Sequence, residues 1–138
     1  MKQINITELK TIIDRVLPNY PVAFAYVFGS VAKKQTHGES DLDIALGFSK
    51  KIEDDLFYKI FNKLASELKI RSEELDLKNF AELPLSVRFR VIRDGSLIYL
   101  KDEKIHRGAA LKTLNFYHDE HSIRTKYGQL SLTRIANK

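Results

Sequence analysis

A run of seven apolar residues, Val22–Phe28, constrains the fold of this 138-residue chain more than any other feature. The run is rich in β-branched and aromatic side chains and contains no polar position, so it predicts a strand that is buried on both faces. Such a strand belongs in the centre of a sheet, because a strand with one wet face would alternate with polar residues. The run stops abruptly at Gly29-Ser30, which predicts a turn where the strand ends.

A second predicted strand, residues 41–46, carries two acidic residues on one face. The strand period of two places Asp41, Asp43 and Ala45 on one face. The apolar residues that alternate with them, Leu42, Ile44 and Leu46, lie on the other face. The segment that joins the two strands is too short for a full βαβ crossover, so we expect them to form a hairpin-like pair.

The remaining hydrophobic pattern predicts alternating helices and strands. The predicted helices cover Ile6–Val16, 57–68, 84–95 and a segment that begins near Asp102 and is interrupted by Gly108; the predicted strands cover 74–78 and Ser96–Leu100. The resulting order, α-β-β-α-β-α-β-α, predicts an α+β (mixed α/β) fold, in which helices pack on a mixed sheet of about four or five strands.

Composition excludes several classes of protein. The chain has no Cys, which excludes a disulfide framework, a thiolate metal site and a cysteine nucleophile. No apolar run approaches the roughly 18–20 residues of a membrane span, and the N-terminus turns polar too soon for a secretory signal. We therefore expect a soluble, cytoplasmic protein without a membrane partner.

The excess of basic residues lies in the C-terminal part of the chain. Residues 1–100 contain 15 Lys and Arg against 14 Asp and Glu, whereas residues 101–138 contain 8 against 4. Such a basic segment suits an RNA contact, an acidic protein partner or a solvated helix face. The segment has no helix-turn-helix signal and the rest of the chain is nearly neutral, so we do not expect direct binding of nucleic acid.

The two carboxylates of the second strand indicate a cation site. Asp41 and Asp43 point the same way, and such close like charges are costly unless a cation neutralises them. Hard oxygen ligands favour Mg²⁺ or Mn²⁺, and Mg²⁺ commonly binds one or two carboxylates together with substrate phosphates. A bare D-x-D pair also fits the wet face of an exposed edge strand, so the neighbouring features decide between the two interpretations.

Those features favour a site for a nucleoside triphosphate. Gly29 allows a phosphate to approach the backbone closely, and Ser30 and the N–H groups of the following turn supply donors. Asp76 lies on the polar face of a neighbouring predicted strand and offers a third carboxylate. Three carboxylates on one face would suit two-metal phosphoryl chemistry.

These residues form a recognisable pattern, G-S-x10-D-x-D, which runs from Gly29 to Asp43. The pattern resembles the signature of the polymerase-β-like nucleotidyltransferase superfamily, and the short chain resembles its minimal nucleotidyltransferase (MNT) group. The resemblance extends over roughly residues 22–100. It implies a minimal nucleotidyltransferase domain over residues 1–100, with residues 101–138 as a C-terminal basic helical extension of the same domain.

The resemblance also implies roles for individual residues. Ser30, with Gly29, would hold the triphosphate, and Asp41 and Asp43 would hold the metal ions. Asp76 would assist the second metal ion or deprotonate the attacking hydroxyl. Many members of the superfamily carry an Arg shortly after Gly-Ser, where this chain has Lys33 and Lys34, which meet phosphate as point charges without a bidentate fork.

MNT proteins are commonly paired with a HEPN-domain ribonuclease toxin. The resemblance therefore implies an ATP-dependent protein adenylyltransferase, an antitoxin that uses Mg²⁺ to transfer AMP from ATP to a toxin tyrosine and releases pyrophosphate. Two alternatives remain open at this point. The acceptor could be a small molecule or an RNA end, or the chain could neutralise a toxin by binding alone.

Overall fold

The computed structural model describes residues 4–29 and 42–128, with side chains as far as Phe116. Eight main elements follow one another: α1 Ile6–Val16, β1 Val22–Phe28, β2 Leu42–Phe48, α2 Asp54–Leu68, β3 Leu75–Asn79, α3 Leu85–Asp94, β4 Ser96–Leu100 and α4 Glu103–Gly128. Short 3-10 turns at Leu17–Asn19, Ser72–Glu74 and Phe80–Glu82 connect some of them. The predicted order of helices and strands is confirmed.

The four strands form one mixed sheet in the order β3-β2-β1-β4. Strand β1 is antiparallel to both β2 and β4, whereas β2 and β3 are parallel. This arrangement confirms the α+β fold class, the mixed sheet and the hairpin-like pairing of the first two strands. Strand β2 is internal, so the interpretation of Asp43 as part of the wet face of an edge strand is wrong.

Each face of the sheet has its own core. On one face, α1 and α2 cover Leu42, Ile44 and Leu46 of β2. On the other face, Phe24 and Tyr26 of β1 pack with a second group of buried residues, namely Ala23, Ala45, Phe80 and Val91. Strand β1 contributes to both cores, as its continuous apolar sequence predicts.

Local signals in the sequence determine several helix ends. The side chain of Asn5 accepts a hydrogen bond of 2.7 Å from the backbone N–H of Glu8 and so caps α1. Helix α3 ends where the N–H of Gly95 donates to the carbonyl of Val91. A Cβ added at Gly95 would lie 2.6 Å from that same carbonyl oxygen, so this helix end requires a residue without a side chain.

Helix α4 passes through Gly108 without interruption, so the predicted break is wrong. A glycine inside a helix costs roughly 1 kcal/mol relative to alanine, and tertiary contacts offset such a cost. Ile105 and Ala109, on either side of Gly108, pack against the second core. In the same turn, the Tyr26 hydroxyl and Nε2 of His106 are hydrogen-bonded at 2.7 Å.

Within residues 4–29 and 42–128, no helix is both long and apolar enough to cross a bilayer.

Candidate active site

Two of the predicted site residues lie side by side on adjacent strands. Asp43 of β2 and Asp76 of β3 are register partners in the parallel pair. Neighbouring strands lie about 4.8 Å apart, and partners in register project from the same face of the sheet. Both residues are of intermediate exposure. The structure thus brings together two carboxylates that solvent can reach, as predicted from the period of their strands.

Gly29 lies directly beside this pair. The residue before it, Phe28, is the last residue of β1 and the register partner of Asp43. Gly29 has φ +78°, a left-handed conformation that favours glycine. A Cβ added there would collide with the carboxylate of Asp43, so that carboxylate lies directly against the glycine backbone. The backbone at the end of β1 therefore closely approaches Asp43.

Asp76 is paired with a lysine that sequence analysis did not assign to the site. The Nζ atom of Lys78 lies 3.4 Å from Oδ1 of Asp76, and the two side chains are 49% and 41% exposed. The two residues are two positions apart in β3, so the strand period places them on one face. That alternation was visible in the sequence, but only the acidic residues were considered.

Four predicted site residues, Ser30, Lys33, Lys34 and Asp41, lie outside the described residues. Within the parts of the chain whose side chains are described, no three His, Cys, Asp or Glu residues group closely enough to hold a metal ion. The predicted triad of carboxylates consequently depends on Asp41 as its third member.

The residues that the structure does describe fit a divalent cation of the Mg²⁺ type. Asp43 and Asp76 offer hard carboxylate oxygens, which Mg²⁺ and Mn²⁺ prefer. The carboxylate of Asp43 lies against the backbone of Gly29, and the phosphates of a bound nucleotide would supply further oxygens.

A buried polar pair ties α4 to the face of the sheet that carries the carboxylates. Tyr26 lies opposite Ala45, two residues before the Phe28–Asp43 pair, and its hydroxyl bonds His106. The His106 ring also packs edge-on against Phe24, with ring centroids 5.0 Å apart. Burial raises the pKa of Tyr26 and lowers the pKa of His106, although Glu103 partly opposes the second shift. Both groups are therefore held in their neutral forms near neutral pH. Sequence analysis missed this contact.

Comparison with protein families gives one match. The family model described as "Polymerase beta, Nucleotidyltransferase" matches residues 10–104, which is more than half of the chain. The match includes Gly29, Asp43 and Asp76. No curated protein matches the sequence.

Several solved structures share the fold. A toxin–antitoxin structure with AMP-PNP is 21% identical and has a TM-score of 0.67, with 90% of this chain and 95% of that chain covered. A complex of tri-AMPylated Shewanella oneidensis HEPN toxin with MNT antitoxin is 19% identical, with a TM-score of 0.66 and coverage of 88% and 94%. The MntA–HepT toxin–antitoxin structure is 20% identical, with a TM-score of 0.61 and coverage of 91% and 95%. At these identities the likeness establishes a shared fold.

Proposed function

Since the chain belongs to the polymerase-β nucleotidyltransferase family, we propose that it is an antitoxin that transfers AMP from ATP to a tyrosine hydroxyl of a HEPN-type ribonuclease toxin. The observation that carries this proposal is the in-register pairing of Asp43 and Asp76 beside the side-chain-free backbone of Gly29. Two structural neighbours support the choice of substrate and acceptor, because one contains AMP-PNP and another contains an AMPylated HEPN toxin.

Each residue has a distinct task in the proposed reaction. The backbone at Gly29, with Ser30, binds the triphosphate, and Lys33 and Lys34 add positive charge near its phosphates. Asp43 and Asp76, with Asp41, would hold Mg²⁺ or Mn²⁺. When bound, such ions neutralise the triphosphate and the charge that develops on the leaving group.

The transfer itself breaks a phosphoanhydride bond of ATP and forms a phosphoester bond to the tyrosine. The tyrosine oxygen forms a bond to the α-phosphorus of ATP, and the bond between that phosphorus and the α–β bridging oxygen breaks. Pyrophosphate leaves with that oxygen, and the tyrosine proton passes to the carboxylate of Asp76. The half-exposed position of Asp76 on the edge strand β3 suits this role, because an acceptor protein can reach it from solvent. The chain would act mainly by positioning the reactants.

The proposal assigns residues 1–100 to the minimal nucleotidyltransferase domain and residues 101–138 to its basic helical extension. The hydrogen bond between Tyr26 and His106 supports one shared domain, since it joins the extension to the central strand. Added AMP would place bulk and negative charge on the toxin, which would repel RNA phosphates from a nearby ribonuclease site.

Intact-mass spectrometry tests the proposal. The purified chain is incubated with ATP, Mg²⁺ and a HEPN-type toxin, and peptide mapping locates any added mass. We expect one or more AMP units on a toxin tyrosine, and none when Asp43→Asn replaces the wild type. A toxin that is silenced in a stable complex without added mass would contradict the proposal and indicate neutralisation by binding alone.

A further inference from the structure

The ion pair between Lys78 and Asp76 places a positive charge inside the proposed metal site. Both residues belong to β3, at the edge of the sheet, and their charged atoms lie 3.4 Å apart. Asp76 is also the register partner of Asp43. The chain therefore supplies its own counter-ion for one of the two carboxylates that the proposed function assigns to metal binding.

The effect of this lysine depends on the charge of the arriving ligand. A divalent cation binds a carboxylate oxygen at about 2.0–2.2 Å, which would bring it within a few ångströms of the Lys78 ammonium. A bare cation is repelled at that distance, because like charges disfavour one another. A divalent cation already bound to a nucleoside triphosphate carries net negative charge, so the same ammonium attracts it.

Lys78 is also able to change partners without any movement of the strand. Its ammonium sits on a flexible four-carbon stem and has three rotatable donors. The side chain is 49% exposed, so burial does not fix its position. An ion pair this exposed is weak, so a phosphate oxygen can displace the carboxylate as the partner of the ammonium.

We propose that Lys78 makes occupancy of the Asp43–Asp76 site depend on the nucleotide. It disfavours a bare divalent cation at Asp76, and it favours the same cation when a triphosphate accompanies it by turning from the carboxylate to a phosphate oxygen. Lys78 is thus a residue that selects the metal–nucleotide complex over the free metal ion. This inference rests on the proposed function, since it takes Asp76 to be a metal ligand.

Direct binding measurements on Lys78→Gln test the inference. Electron paramagnetic resonance measures the concentration of free Mn²⁺ in the presence of the protein, first without nucleotide and then with α,β-methylene ATP. The α–β bridge of this analogue cannot be cleaved. We expect the variant to bind bare Mn²⁺ about two- to fivefold more tightly and the Mn²⁺–nucleotide complex about two- to fivefold more weakly than the wild type. Lys78→Arg keeps the charge and should restore both affinities.

The chain offers a closely matched control. Lys63 of α2 is 51% exposed and forms an ion pair with Glu67 at the same 3.4 Å, on the helix that covers the opposite face of the sheet. Lys63→Gln should change neither affinity. The role of Lys78 would be overturned if Lys63→Gln shifted the two affinities as much as Lys78→Gln does. It would also be overturned if Lys78→Gln left the affinities for bare Mn²⁺ and for the Mn²⁺–nucleotide complex unchanged, or moved both in the same direction.

The failure of this inference is distinguishable from the failure of the proposed function. If the wild type binds the Mn²⁺–nucleotide complex but Lys78→Gln does not reverse the preference, only the selection by Lys78 is overturned. If the wild type binds neither bare Mn²⁺ nor the complex, both the inference and the proposed metal site are overturned.

Discussion

Asp43 and Asp76 are register partners on the parallel strands β2 and β3, although helix α2 separates them in the sequence. Parallel strands require a crossover connection, and α2 supplies it while it packs on the face of the sheet opposite the carboxylates. The sheet thereby holds the two acidic groups at a fixed separation without any contribution from a loop. This relationship is the basis of the proposed chemistry.

Removal of the charge on Asp43 should abolish transfer while the fold persists. We expect Asp43→Asn to lower the rate of AMP transfer at least about a hundredfold, because the carboxylate would hold charge-neutralising metal. Its melting temperature should be equal to or above that of the wild type, since one of two neighbouring like charges is lost. Glu82→Gln, at an exposed residue of the 3-10 turn that follows β3, serves as the control and should retain the wild-type rate.

Two glycine substitutions should change stability in opposite directions. Gly29→Ala places a side chain at φ +78° and against the Asp43 carboxylate, so we expect a loss of about 1–2 kcal/mol in the free energy of unfolding, together with loss of activity. Gly108→Ala adds a methyl group to the exposed side of α4, where no atom lies within 4 Å, and should raise stability by up to about 1 kcal/mol. Urea denaturation of both variants measures the two effects. A stable, active Gly29→Ala variant would contradict the tight approach of that turn to Asp43.

The Tyr26–His106 pair should make stability depend on pH. Burial lowers the pKa of His106 in the folded state below the ordinary value of 6.5. As the pH falls, the His106 of the unfolded state therefore binds a proton before that of the folded state does. The contribution of neutral His106 to the free energy of unfolding is complete above pH 6.5 and is lost as the pH falls below it. Glu103 of α4 also faces the imidazole and weakens the shift. Comparison of unfolding free energies at about pH 7.5 and about pH 5.5 should show a smaller decrease for His106→Gln than for the wild type. An equal decrease in both proteins would show that His106 does not contribute.

The contact between Gly47 and Phe24 should tolerate no added methyl group. A Cβ at Gly47 would overlap the Phe24 ring, and overpacking of a core typically costs about 1–3 kcal/mol. We expect Gly47→Ala to lower the denaturation midpoint by a corresponding amount. In the Phe24→Leu background the same substitution should cost less, because the smaller side chain leaves space. Equal costs in the two backgrounds would contradict the proposed overlap.

Features that depend on neighbouring residues were predictable from the sequence. The cap at Asn5 and the prolines after Val16 define α1, and Ser96–Leu100 is a strand as predicted. The face shared by Asp43 and Ala45 follows from the strand period alone. The G-S-x10-D-x-D pattern assigned Gly29 and Asp43 to one site, and the structure places the two residues next to each other.

Features that depend on distant contacts were not predictable. The internal position of β2 follows from its pairing with β3, which no local pattern encodes. His106 and Tyr26 are 80 positions apart, and their hydrogen bond joins a helix to the central strand. The continuity of α4 through Gly108 has the same origin, since packing of Ile105 and Ala109 offsets an unfavourable local propensity.

The central claim, transfer of AMP to the toxin, is tested most directly with two labelled forms of ATP. The wild-type chain, the proposed HEPN-type partner and Mg²⁺ are incubated with ATP labelled at the α-phosphate or at the γ-phosphate, and label on the toxin is measured. The account predicts that label from the α-phosphate appears on a toxin tyrosine, that label from the γ-phosphate does not, and that Asp43→Asn abolishes the signal. Label from the γ-phosphate on the toxin, or undiminished transfer by Asp43→Asn, would contradict it.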